Sequence, residues 1–471
     1  MKTDPRTAPV PARTASTKPR VFRPAFGLLS LSLLAACATA LPQHPPSTRA
    51  PAMVLDLPPM KVFSGTAPRH TTRSNASLAR DFLDLSFALE NGTPLAQMTR
   101  FEGPITLRVT GARPPISLGP DLAALLRRLD QEAGVKITRV SAGSPASITI
   151  ETLPHGELAR RAPNTACIVA PNVSDWSEFK RARRPNLSWT KVDIRTRLAI
   201  FIPDDVAPQE IRDCLHEELA QALGPLNDLY RLADSVYNDD NIHSVLTPFD
   251  MLMLKVTYAP ELQSGMTRNA VAARLPAILK RLHPAGESVQ TPIQRPTPRA
   301  WTDHVTTAMS AGPIPARKAA AEAAVAIARA QGWDDARAGF SWFLLGRLAL
   351  SSDRALAHSA LTQSAHIYGA HPETRFHAAH VAMQLSALAL AEGQDQAAYE
   401  IAARAIPAAT EAENAALLAS LMLTEAEALD AMGRSGDARA LRLDSLGWAR
   451  YGFGSDAMVR ARVAEIAALA P

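Results

Sequence analysis

Beyond residue 36 the sequence has no apolar stretch of the ~18 residues that a bilayer-spanning helix needs, so no spanning helix is expected there. Cysteine is scarce: only Cys37, Cys167 and Cys214 occur, so with Cys37 set aside at most one internal disulfide can form. A dominant charge is lacking too. Fifty Lys and Arg against 45 Asp and Glu leave a net +5, part of it near the N-terminus, and this gives no electrostatic case for a nucleic-acid partner. Nucleotide-binding motifs, a nucleophile elbow and a convincing catalytic dyad are also missing, which removes the enzyme classes those motifs define. What is present is an ordinary apolar fraction of 47%, enough for a real core. Setting the N-terminal segment aside leaves about 435 residues, a length that suits two or three domains.

That N-terminal segment is distinctive. Lys18, Arg20 and Arg23 precede Ala25 to Ala36, a Leu-rich run too short to cross a bilayer, and small residues lead into Leu34-Ala35-Ala36-Cys37. The tetrapeptide resembles a bacterial lipobox. The resemblance implies a signal peptide over 1–36 and a diacylated Cys37, with the protein held in the cell envelope by a lipid anchor; two acyl chains anchor stably where one does not. Ala38 is not the aspartate that retains such proteins at the inner membrane, so the periplasmic face of the outer membrane is expected. The bland alternative is a buried cysteine near an apolar N-terminus. In an oxidising compartment Cys167 and Cys214 read as one disulfide, stabilising by about 4 kcal/mol, with two buried thiols as the alternative.

Residues 37–74 are rich in Pro, Thr and Ala without periodicity and read as a disordered tether. Leu78, Phe82, Leu85 and Leu89 mark an amphipathic helix over 77–90. Strands are expected over 105–110, 148–153, 166–171 and 198–202, and helices over 122–133 and 208–224, the last with Pro208 in its first turn and Gly224 at its end. Alternating strands and helices define a mixed α/β domain over 75–283. Four prolines make 284–299 a linker, and 300–471 is Ala- and Leu-rich with no convincing strand. Helix end, polar turn and Ala-rich restart recur in 348–355, 388–395 and 428–437, about 40 residues apart, which means stacked helical hairpins. The pattern resembles a degenerate tetratricopeptide array, with Leu345-Gly346 at the Leu-Gly position and Pro372 and Pro407 ending second helices.

Cys214-Leu-His-Glu-Glu-Leu-Ala-Gln-Ala-Leu-Gly-Pro-Leu-Asn-Asp228 invites comparison with zinc peptidases, which place two histidines four apart on one helix with a glutamate beside the first. Starting at His216-Glu217 puts Ala220 at the second ligand position. Aligning on Gly224 and Asp228 instead makes Glu218 the general base, Gly224 the turn glycine and Asp228 the final acid. The three ligand positions then hold Glu217, Gln221 and Asn227. Leu246-Thr-Pro-Phe-Asp250 and Tyr258 follow where matrix-type metzincins carry a closing helix, and Ser235-Val-Tyr-Asn238 lies where their Met-turn would be. Together these residues resemble a bacterial family of lipoproteins built on a domain of unknown function with a metzincin-like, zincin-like frame. The resemblance implies a fold and no assigned activity. One carboxylate and two amides are a poor zinc set, and calcium wants six to eight oxygens, so no metal or cofactor is expected.

Other features are read blandly. Lys180-Arg-Ala-Arg-Arg184 beside Trp176, Phe179 and Trp189 is expected to be a solvated loop. His366, His371, His377 and His380 are not expected to hold a metal, and Trp448 to Gly454 is expected to cap the end of the array. The functional expectation is a non-catalytic envelope lipoprotein: the degenerate cleft recognises a peptide or glycan, and the helical repeats dock a protein or peptide partner. The alternative is a metal-dependent hydrolase with Glu218 as base.

Overall fold

The computed structural model describes residues 57–65, 70–163, 165–292 and 294–471. The expected signal peptide and Cys37 lie outside them. The first domain runs α1 (Asn75–Ser86), β1 (Ile105–Gly111), α2 (Leu118–Arg128), β2 (Ile137–Arg139), β3 (Ile148–Leu153), α3 (His155–Arg161), β4 (Ile168–Pro171), α4 (Trp176–Arg181), β5 (Leu198–Pro203), α5 (Pro208–Leu223), α6 (Pro248–Thr257), α7 (Arg268–Ala272) and α8 (Leu275–Leu282). The five strands form one sheet in the order β2-β1-β3-β5-β4, all neighbours parallel except β4 against β5.

The interior strand β5 shows why the sheet is covered on both sides. Its residues are all buried, and they alternate: Leu198, Ile200 and Ile202 enter the main core with α1, α2, α5, α6 and α8, while Ala199 and Phe201 enter a smaller core with Trp176 and Phe179 of α4. Ser74 caps α1 by accepting from the Ser77 N–H, and Thr247 and Asp250 form a capping box at the start of α6. Cys167, just before β4, is joined to Cys214 of α5. The expected bond is therefore present, and it ties the antiparallel edge strand to the helix beneath it.

The second region is all helical: α9 (Arg299–Met309), α10 (Ile314–Ala330), α11 (Ala336–Ala349), α12 (Arg354–Gly369), α13 (Arg375–Ala391), α14 (Asp395–Glu411), α15 (Ala415–Ala431), α16 (Ser435–Phe453) and α17 (Asp456–Ala467). The three recurring segments fall at the α11–α12, α13–α14 and α15–α16 turns. In two of them a glycine occupies the left-handed region, Gly393 at φ 70° and Gly433 at φ 77°, as a helix C-terminus favours. Gly346 lets α11 approach Leu361 of α12, where an added Cβ would lie 2.7 Å from Leu361 Cγ. Pro407 does not end a helix: it lies inside α14, which continues to Glu411.

Several expectations about boundaries are corrected. Residues 57–65 and 70–74 are not a loose tether. Phe63 stacks on Trp448 at 4.5 Å, the Lys61 N–H donates to the Gly447 carbonyl at 3.0 Å, and Arg73 pairs with Asp81 and Asp234. The linker is also pinned, because Arg80 donates to the Gln294 carbonyl and Arg337 to that of Arg295. Trp448 to Gly454 is an interface rather than a terminal cap: Tyr451 donates to Asp121 at 2.8 Å, and α17 follows it. The 180–184 stretch is partly helical, and Trp176 and Phe179 are core residues, leaving the basic side chains exposed without aromatic interleaving.

The described residues of the two regions are fused into one compact unit. The α5–α6 loop sends Tyr230, Ala233 and Ile242 into the helical core beside Trp301 and Phe340. Buried polar contacts cross the same boundary: Arg212 with Glu413, Asp240 with His377 at 2.8 Å, and the Gln209 carbonyl oxygen accepting from the Ala416 N–H at 2.9 Å.

Candidate functional site

Helix α5 carries the register residues, and its end is built by arginine. Arg195, 3% exposed, donates to the carbonyls of Gln221 and Ala222 from one nitrogen (2.6 and 2.9 Å) and of Gly224 from another (2.6 Å). These are carbonyls that a helix C-terminus leaves without intrahelical partners. Arg100 does the same beyond α6, donating to Thr257 and Ala259 at 2.9 and 3.1 Å. Burial pushes the Arg195 guanidinium down to about 10, still charged at neutral pH. Gly224 is needed for close approach, since a Cβ there would meet Leu254 of α6 at 2.9 Å.

The structure divides the expected residues. His216 turns away from the cleft and accepts the Leu246 N–H through Nδ1 at 3.0 Å; burial holds it neutral, well below the usual histidine range. Asn227 is used structurally, its amide donating to the Asp84 carbonyl at 2.9 Å. Gln221 donates to Glu90 at 3.2 Å. Glu217, Glu218 and Asp228 do come together, joined by Glu90 and Asp239, which sequence reasoning missed. Burial, then repulsion from Glu90 and Asp239, raises Glu217 to about 7, and burial with Glu90 and Asp240 raises Asp239 to about 6. Glu218 and Asp228 are pushed well above the carboxylate range, by burial first and then by the other carboxylates of the group. Glu90 follows the α1 helix and Asp239 lies in the loop after α5. Nothing local in the sequence couples them to α5.

Glu90, Asp228 and Asp239 line a cavity of about 600 Å³ together with Asn227, Tyr230, Arg231, Arg268 and residues 294–297. The site thus lies where the α/β domain, the linker and the helical region meet. Asp250, in the first turn of α6, accepts from the N–H groups of Val236 and Thr247 and from the Ser235 hydroxyl, so it pins the turn at Ser235 and Val236 to that helix. Of the other histidines, His377 bonds Asp240, the His243 ring lies 5.8 Å from that of His377, and His366 is exposed. Among the described residues no three His, Cys, Asp or Glu side chains are placed to hold one metal ion.

Zinc does not fit the residues present. Glu217, Gln221 and Asn227 offer one carboxylate and two weak amide oxygens, with no imidazole or thiolate among them.

Fold and site together define a disulfide-tied mixed α/β domain with a carboxylate-lined cleft closed by a helical region. Residues 75–277 match the family described as "Protein of unknown function (DUF2927)", and the helical region follows that match. No curated protein matches the chain.

Proposed function

We propose that this protein is a non-catalytic, lipid-anchored component of the cell envelope that binds a peptide in a degenerate metzincin-like cleft, while tetratricopeptide-like helical hairpins dock a second protein. The observation that carries the reading is the use already made of the register side chains. Gln221 and Asn227 donate through their amide nitrogens to Glu90 and to the Asp84 main chain, and with Glu217 they offer one carboxylate and two amide oxygens, a poor set for a water-activating metal. A general base must also be unprotonated at working pH, and burial, then Glu217 and Glu90, push the Glu218 carboxyl well above the usual carboxylate range, against that form. Both observations favour the binding reading over the hydrolase alternative.

Incubating the purified full chain with a mixed peptide pool tests this. Peptides should be retained and recovered intact; cleavage products that accumulate with time would overturn the reading. The anchor is tested separately. Cys37→Ser is expected to abolish acylation and release the protein from salt-washed membranes, and retention of the Ser variant in the pellet would refute the anchor.

A further inference from the structure

Carboxylates near the cleft fall into two sets. Asp81, Asp84 and Asp234 are met by arginine: Arg231 reaches Asp81 at 2.7 Å and Asp84 at 2.9 Å, Arg268 reaches Asp84 at 2.7 Å, and Arg73 pairs with Asp81 and Asp234. Glu90, Asp228 and Asp239 face the cavity and have no such cation. Glu90 receives the Gln221 amide, and among the described residues the side chains of Asp228 and Asp239 make no hydrogen bond or ion pair. The arginines Arg80, Arg231 and Arg268 that line the cavity have partners, Arg231 and Arg268 in Asp84 and Arg80 in the Gln294 carbonyl and Asp81, although the Arg80 Nε is a buried donor left without one. Arg295 stands exposed at the rim.

One oxygen marks what is missing. Oδ1 of Asp228, on the cavity wall, is shielded from solvent without a hydrogen-bond partner. Folded proteins partner nearly all such atoms, so this exception on the cavity wall points to a donor that the chain does not supply. The donor is wider than a metal ion, because no three acidic or imidazole groups are placed around one point. A guanidinium offers five N–H donors in a planar fork that can span separate carboxylates.

We propose that the cavity receives the cationic side chain of a basic peptide, an arginine above all, between Asp228, Asp239 and Glu90. The proposal rests on the peptide-binding reading and names the side chain that is read. Calorimetric titration of the full chain with N-acetylated, C-amidated Gly-Arg-Gly and with its citrulline counterpart, which keeps the shape and loses the charge, tests it. The arginine peptide is expected to bind at least tenfold more tightly, and Asp228→Asn with Asp239→Asn should abolish that preference. Glu90→Gln, outside the loop after α5, should reduce the preference and serves if the double variant does not fold. Equal binding of the two peptides would overturn the cation assignment and leave peptide binding intact. Binding of neither would overturn both. Stoichiometric calcium or zinc binding that Asp228→Asn removes would also overturn the assignment.

Discussion

Reducing the Cys167–Cys214 bond is expected to lower the unfolding free energy by about 4 kcal/mol, from the entropy of a loop closed across 47 residues. That is a large part of the 5–15 kcal/mol roughly typical of folded domains. The bond holds β4 to α5, and α5 is buried against the helical region through Arg212–Glu413 and Gln209–Ala416. One cooperative transition is therefore expected for both regions, shifted to lower urea by reductant. Equal urea midpoints with and without reductant would contradict the stabilising role. Loss of the α/β signal while the helical signal persists would contradict the coupling.

Arg195→Met should be as damaging. Methionine fills much of the same volume but leaves three carbonyls at the end of α5 without their donor. Each buried polar group so stranded costs about 1–3 kcal/mol, so a total loss of about 3–5 kcal/mol is expected after partial relaxation. Lysine keeps the charge and loses the fork, so Arg195→Lys should recover only part of the stability. The stacking of Arg195 over Trp189 at 5.1 Å would weaken in both variants. A loss under about 1 kcal/mol in Arg195→Met, from urea unfolding, would show that the helix end is satisfied in another way.

Legibility in the sequence follows the range of the interactions. Helix α5 is announced by Pro208 and Gly224, β5 by an unbroken apolar run, and the hairpin turns by Gly393 and Gly433, all signals that act within a few residues. The disulfide could be inferred because few cysteines left few pairings. Glu90 and Asp239 were invisible because only tertiary folding brings them to Glu217 and Asp228. Arg195 read as one basic residue among many, since the carbonyls it serves are 26 to 29 positions away. Proline-rich composition at 57–65 and 284–299 suggested looseness, but such segments carry few side-chain demands and lie readily against a surface. Lys61, Phe63 and Gln294 fix them there. Pro407 misled for a related reason: packing on both neighbours outweighed one missing N–H.

The central claim is that the cleft holds buried carboxylates with no metal or base function, and the stability of Glu218→Gln against pH tests it most directly. A carboxyl whose pKa is raised by folding keeps its proton in the folded state, so its stabilising share is complete below the unfolded value near 4.5 and is lost as pH rises toward the folded value. Glutamine removes that loss. At pH 8 the variant should be more stable than wild type, and at pH 4 it should gain nothing. Equal or lower stability of Glu218→Gln at pH 8 would mean that Glu218 is ionised and compensated there, as a working base over a bound cation would be, and would contradict the account.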